Sequence, residues 1–444
     1  MGNYAQAEDA LVSVDEAGRK TASYHKTAAA LARSLNLVSA AETHFSEATR
    51  LEPDNPVSQL NLASIRLLST NLAQVDEARL ALSSLMTNPT VRCDALRHLA
   101  LDAMRSRKTD EALKLTMELQ QCNNAVFGDR ILELKILEHA KSDVLKSKLA
   151  TLQDESKENP QRVFELTKWM ISVSKAREAL DFIKTLEPTI QTNQPVPLVA
   201  VDCYVAEKDW AGLDEMLREQ DWNEMEFFRL VLRARALKGQ SQEMSAKSLW
   251  VKSLRTAENR RERLVQLVRT TAAWDWPDET EQGLWAIANR YPDQKWAYAS
   301  LYKMFYAAGK TRSLQSLLTR FSELDPTNTL AKSNLAMTLF LLNPRDKRPG
   351  ELAREAYEAQ PKDPFIVSTY AYSLHLQEKT AEALKVFSTL KPEELETPSI
   401  AAWYGIVLAA SGEVVEAKKY LDLAEKIKLL PEEMALVRQA RAGI

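Results

Sequence analysis

The sequence predicts an all-α chain built as a solenoid of stacked two-helix units, and three observations carry that prediction. A small/large/small triplet of apolar residues recurs along the chain with a regular period, as at Ala41, Phe45 and Ala48. Proline follows directly on helix-capping residues, as in Asn55-Pro56 and Asp363-Pro364. Glycine is scarce, with 11 in 444 residues against roughly 31 at average usage. Each observation has a physical reason. The spacing i, i+4, i+7 puts the triplet on one helical face. Proline at the first helical position has no useful N–H to lose, and its φ is already helical. Glycine costs about 1 kcal/mol against alanine inside a helix, so a chain of helices joined by few strained turns avoids it.

Composition narrows the function classes. Apolar residues make up 45% and charged residues 27% of the chain, ordinary for a folded, soluble protein. A net charge of −3 and a pI near 6.1 give no electrostatic reason for a nucleic-acid or anionic-membrane partner. Cys93, Cys122 and Cys203 form no CxxC and suggest neither a disulfide framework nor a zinc knuckle. They fit a reducing compartment, so the cytoplasm is expected. A periplasmic or membrane-tethered location follows instead if an N-terminal segment has been removed. No apolar run approaches the ~18–20 residues of a membrane span, no insertion into a membrane is expected, and no signal-peptide pattern opens the chain.

The repeat can be followed along the chain. One period back from Ala41, Phe45 and Ala48 stand Ala7, Leu11 and Val14, with Gly2 answering Asn36. One period forward stand Ala78, Leu82 and Leu85, slipped slightly at the loop Ser69-Thr70-Asn71-Leu72. Ala112 comes one period further on, and Ala179 about two periods after that. In the last third, Tyr302, Ala336, Ala371 and Gly405 keep the same spacing, and so do Pro292, Pro326 and Pro361. Gly309 and Gly412 are expected to close inter-helix turns. Ala383 and Ala417 lie one period apart in second helices. Asn159-Pro160 and Thr397-Pro398 add two further capped starts.

A 34-residue helix–turn–helix unit with this small/large/small pattern and a terminal proline resembles the tetratricopeptide (TPR) motif. Tyr298 to Tyr302, Gly309, Leu314 to Leu318 and Leu324-Asp325-Pro326 match it well. The resemblance implies a right-handed α-solenoid (superhelix) of about twelve TPR-like units. They start near 22, 56, 93, 128, 160, 194, 225, 261, 295, 329, 364 and 398. Residues 22–127 and 295–431 match the pattern well; residues 128–294 are divergent, with Lys and Thr where Ala is usual. Residues 1–21 read as a partial repeat or an N-terminal capping helix. The first alternative implies a chain trimmed from a longer protein that carries an upstream anchor or export segment. Residues 432–444 read as a C-terminal capping helix, since solenoids need a polar last face.

Each unit has an apolar face that it buries only by stacking on its neighbours. The resemblance implies that first helices line a concave groove. The expected function is a non-catalytic scaffold or adaptor that binds a peptide or helix of a partner protein there. The alternative is a ligand- or peptide-responsive regulator whose curvature changes on binding. The candidate groove holds Trp296, Lys303 and Tyr306, then Leu330, Ser333, Met337 and Phe340, then Phe365, Ser368, Tyr372 and His375. Outward aromatic residues are favoured at binding hot spots, although the same stripe would serve as packing if it turned inward. A second candidate groove holds Lys26, Arg33, Leu60, Asn61, Arg97 and Met104. Lys26 and Asn61 match two places of the clamp by which some TPR proteins grip a terminal carboxylate. Ala30, Asp94 and His98 do not, so a chaperone-tail receptor is not expected.

Catalytic motifs are absent, and no cofactor or metal is expected. Gly309-Lys310-Thr311 imitates a phosphate loop, but Met304 stands where the upstream glycine belongs. Ser23-Tyr24-His25-Lys26 has an SxxK spacing without its partner motifs. His25, His44, His98, His139 and His375 are scattered, with no metal-ligand spacing. Trp210, Trp222, Trp250, Trp274, Trp276, Trp285 and Trp296 follow the helices and are expected to fill the core between repeats. The basic run Lys252, Arg255, Arg260, Arg261, Arg263 and Arg269 is interleaved with Glu258 and Glu262, as on a solvated face laced with ion pairs.

Overall fold

A computed structural model describes residues 4–343 and 348–444, with the side chains of 4–6 outside the description. Gly2 and Asn3, placed above in a partial repeat, lie outside the described residues. Every regular element among the described residues is a helix. The chain divides into two compact units, Met1–Glu215 and Met216–Ile444.

In the first unit, helices pair in chain order: Ala22–Ser34 with Val38–Leu51, Pro56–Arg66 with Leu72–Leu85, Arg92–Arg105 with Thr109–Gln120, Phe127–His139 with Leu145–Ser156, and Pro160–Ser172 with Ala176–Lys184. First helices also stack on first helices, from Pro56–Arg66 through to Val196–Glu207. The second unit repeats the scheme: Glu226–Gly239 with Glu243–Ala257, Arg261–Ala273 with Pro277–Arg290, Lys295–Ala307 with Thr311–Leu324, Thr329–Leu342 with Arg348–Ala359, Pro364–Leu376 with Thr380–Phe387, and Pro398–Ser411 with Val414–Ala424. Pairing in sequence with stacking on the next pair is the TPR-like arrangement. The fold is an all-α repeat array.

The sequence features that set these elements act as expected, with one exception. Ala41, Phe45 and Ala48 are 0%, 2% and 0% exposed, the small residues admitting the neighbouring helix and the ring filling the gap. The Asn55 side chain accepts from the N–H groups of Val57 and Ser58, Asn159 from Arg162, and Asp363 from Phe365 and Ile366. Thr397 makes no such bond, so Pro398 alone marks that helix start. At Gly405 an added Cβ would stand 3.0 Å from Leu421 Cγ and 3.1 Å from its backbone nitrogen. Only a residue without Cβ lets those two helices approach so closely.

Gly309 and Gly412 close their turns with φ of 66° and 87°. The same left-handed place is held elsewhere by residues with side chains. These are Asn36, Arg107, Lys141, Ser174, Lys208, Ser241, Asp275 and Glu378, with φ of 60°, 58°, 53°, 62°, 55°, 61°, 56° and 64°. From Arg107 to Asp275 they recur once per repeat, so the beat continues through the divergent stretch 128–294.

The last helix, Pro431–Ala442, packs on Pro398–Ser411, Val414–Ala424 and Thr329–Leu342. It also reaches back to the turn after Lys295–Ala307. Lys428 Nζ donates to the Ala307 carbonyl at 2.6 Å, and Thr311 Oγ1 donates to Glu432 at 2.5 Å. Among the described residues no helix is long and apolar enough to cross a membrane.

Candidate functional site

In the second unit, the second residue of three consecutive first helices is large, apolar and exposed. Trp296, Leu330 and Phe365 are 40%, 44% and 47% accessible. They follow one another at the repeat period, at equivalent positions of successive first helices, of which Thr329–Leu342 packs on Pro364–Leu376. Their immediate neighbours Ala297, Ala331 and Ile366 are buried, so the three exposed side chains stand on the face of the first turn that points away from the core. Lys303 is also exposed, while Tyr306 and His375 are half-buried.

Deeper along the same helices the expectation of outward-facing residues fails. Met337, Phe340 and Tyr372 are 8%, 4% and 3% exposed, and Ser333 and Ser368 are buried with them. The Tyr372 ring lies 4.5 Å from that of Trp403 and 6.3 Å, edge-on, from that of Phe340. Phe340 and Tyr372 fill the junctions between adjacent first helices, whereas Met337 and Ser368 also line a cavity. His375 Nδ1 lies 3.0 Å from Thr380 Oγ1, so that ring too is engaged within its own repeat.

Beneath the C-terminal helix lies a cavity of about 260 Å³, lined among others by Tyr302, Tyr306, Thr338, Phe365, Trp403 and Glu433. Glu433 is 8% exposed. Its Oε2 accepts the Leu430 N–H at 2.8 Å and the Tyr306 hydroxyl at 3.3 Å. Burial pushes this carboxyl above its ordinary range, against the pull of those two donors. Burial first, and then the nearby Glu433, pushes the phenols of Tyr302 and Tyr306 up as well. Burial alone pushes Tyr372 up to about 12. The outcome is an acid held among rings and hydroxyls. Sequence reasoning singled out Tyr306 and Phe365 but missed Glu433 and Trp403 as members. Glu433 meets Tyr306 across 127 residues of chain, a distance at which no local pattern signals contact.

In the second candidate groove both cations are ion-paired. Lys26 Nζ pairs with Glu52 at 2.8 Å, and that hydrogen bond is the main reason the Glu52 carboxyl is held low. Arg97 grips the buried Asp129 through Nε at 2.5 Å and Nη2 at 3.0 Å, and also pairs with Asp94 at 2.5 Å. Asn61 is half-buried between them in sequence. Neither cation stands free for a guest carboxylate.

Of the other singled-out residues, Lys310 pairs with Glu281 at 3.1 Å and Thr311 with Glu432, which engages the phosphate-loop mimic internally. Trp222 and Trp250 are 7% and 1% exposed, as core residues are. Trp274 and Trp276 are half-exposed, with the Arg235 guanidinium 4.3 Å from one ring and the Lys238 ammonium 4.3 Å from the other. In the basic run, Arg261 pairs with Glu262 at 3.1 Å and Arg260 with Glu224 at 3.7 Å. His25 and His44, read as scattered, meet through their Nδ1 atoms at 3.0 Å. Among the described residues no group of three or more His, Cys, Asp or Glu is placed to hold a metal ion.

No family model matches the chain, and no curated protein matches it. Among solved structures the chain is similar to one from a structure of Naa15/Naa10 bound to HypK-THB, at 14% identity and a TM-score of 0.30, covering 99% of this chain and 75% of that one. It is also similar to one from a crystal structure of the APC/C hetero-tetramer Cut9-Hcn1, at 10% identity and a TM-score of 0.30, covering 99% of both chains. Likeness at this level carries no argument about what this chain does.

Proposed function

We propose that the chain is a non-catalytic interaction scaffold that holds an extended segment of a partner protein along the row Trp296, Leu330 and Phe365. The single observation that supports this reading is the row itself: three large apolar side chains, each at least 40% exposed, repeated in register. Isolated exposed apolar residues are commonplace, whereas a periodic set on a rigid frame marks an interaction surface. Stacked helices stand roughly 8–10 Å apart. A polyproline-II-like segment advances about 9 Å every three residues, so every third side chain would meet one member of the row. The cavity beside Phe365 favours a second reading, a scaffold whose binding answers to a small ligand.

The test is the double variant Trp296→Ala/Leu330→Ala. Both side chains are substantially exposed, so stability is expected to stay within about 0.5 kcal/mol of wild type for each. A protein retained in near-stoichiometric amount by the wild-type chain is expected to be lost at least tenfold. Equal retention by the variant, or no stoichiometric partner for the wild type, sinks the proposal.

A further inference from the structure

We infer that the cavity under the C-terminal helix is a receptor for an organic cation, an alkylammonium or guanidinium group, with Glu433 as its counter-charge. The inference deepens the scaffold reading by naming the chemistry of the guest, and it rests on that reading where the guest is a partner's side chain. Three observations carry it.

The cavity holds about 260 Å³, and its lining combines aromatic rings (Tyr302, Tyr306, Trp403) with polar groups. Aromatic faces attract ammonium and guanidinium groups, most strongly where water is excluded. A concave site with a few convergent polar groups is where small ligands bind.

The acid in the cavity wall lacks a counter-ion among the described residues. Glu433 Oε2 has two donors, Leu430 N–H and Tyr306 Oη, while no hydrogen bond reaches Oε1 among those residues. The charged group whose field reaches it is another carboxylate, Glu432 on its own helix. Tyr302 and Tyr306 face it from Lys295–Ala307, and the lining residues of Thr329–Leu342, Pro364–Leu376 and Pro398–Ser411 carry no charge. A desolvated carboxylate is costly unless paired, and a bound cation supplies the missing pair.

Finally, Phe365 belongs both to the exposed row and to the cavity lining. A segment lying on the row therefore passes the cavity, and a lysine or arginine on that segment can enter it.

The test measures binding of n-butylammonium chloride to the full chain by ligand-observed NMR, with n-pentanol as the neutral control. Wild type is expected to bind the cation saturably and at least tenfold more tightly than Glu433→Gln. Glutamine keeps an acceptor for the Leu430 N–H, so the helix start persists, and melting curves check this. Glu433→Asp retains the charge and is expected to keep measurable preference for the cation, which separates lost charge from lost fold. Affinity should rise with pH as Glu433 ionises. A capped Leu-Lys-Leu tripeptide that binds more tightly than n-butylammonium, and loses that advantage in Trp296→Ala/Leu330→Ala, identifies a partner's side chain as the source. Equal affinity identifies a free amine. Indifference of n-butylammonium to Glu433→Gln, or equal binding of n-pentanol, overturns the inference. The scaffold reading survives that result if the double variant still loses its partner, so the two failures are distinct.

Discussion

Adjacent first helices are joined by different chemistry in the two units. In the first, Arg97 reaches 32 residues ahead to Asp129, and a second-helix residue, Arg79, reaches the next first helix at Asp102, 2.7 Å away. In the second, the step from Phe340 to Tyr372 equals that from Arg97 to Asp129, and it is bridged by rings, with Tyr372 continuing to Trp403. The same sequence step between adjacent first helices thus carries an ion pair nearer the helix starts in one unit and an aromatic pair nearer the helix ends in the other. The contrast explains why the deeper candidates resemble groove residues in sequence. A cation and a tyrosine on a first helix both look available to a guest, yet both are spent on the neighbouring repeat. What stays open is the first turn, where Trp296, Leu330 and Phe365 stand.

The comparison breaks most severely at the aromatic junctions. Phe340→Ala or Tyr372→Ala removes a nearly buried ring and leaves a cavity, at a cost of about 3–5 kcal/mol. Denaturant unfolding is expected to show this loss, against almost none for Trp296→Ala. A loss below about 1 kcal/mol for Tyr372→Ala would return that residue to the exposed wall.

Next in size is Arg97→Met. It leaves Asp129, 2% exposed, without its cation, and breaking such a pair costs about 3 kcal/mol. The double variant Arg97→Met/Asp129→Asn should recover much of it, because asparagine still accepts the Val126 N–H that Asp129 now accepts at 2.8 Å. Lys26→Met should cost far less than Arg97→Met, since that pair is exposed to solvent screening. Equal losses for Arg97→Met and Lys26→Met would mean that burial does not separate a brace from a surface pair.

Much of the fold was legible in the sequence, and the reasons are local. Ala41, Phe45 and Ala48 show one helical face, and Asn55-Pro56 and Asp363-Pro364 show two helix starts. The stretch 128–294 was obscure because Lys and Thr stand where Ala is usual, and its turns add no glycine: Lys141, Ser174, Lys208, Ser241 and Asp275 take the left-handed conformation, as Asn36, Arg107 and Glu378 do elsewhere. That conformation costs a residue with a side chain roughly 1–2 kcal/mol. Packing overrides the cost and leaves no glycine to mark the place. At the site, Trp296 and Phe365 were legible as exposed candidates. Phe340 and Tyr372 were not separable from them, because Thr329–Leu342 and Pro364–Leu376 carry apolar residues all round, the mark of a buried helix rather than an amphipathic one.

The smallest expected effect lies in the response to acid. In the first unit His25 and His44 share an Nδ1···Nδ1 contact of 3.0 Å, which needs one N–H and one lone pair, so at least one ring must be neutral. Burial first, and the His25 charge second, hold His44 below the ordinary histidine value of 6.5. Burial likewise holds His98 low in that unit and His375 in the other. Well above pH 6.5 the rings of His44, His98 and His375 are neutral in both folded and unfolded chains, and stability does not depend on their titration. As pH falls below 6.5 the unfolded chain takes up protons first, so stability is lost progressively toward the depressed folded values. His44 is half-exposed, so its own share is expected to stay well under about 1 kcal/mol after solvent screening. Chemical unfolding at about pH 7.5, 6.5 and 5.5, spanning the ordinary histidine range, should show a slope that His44→Gln flattens by removing one titrating ring and the repulsion of a doubly charged pair. An unchanged slope in His44→Gln would assign the acid sensitivity to His98 and His375, the more deeply buried rings, and leave the histidine pair without a part in it.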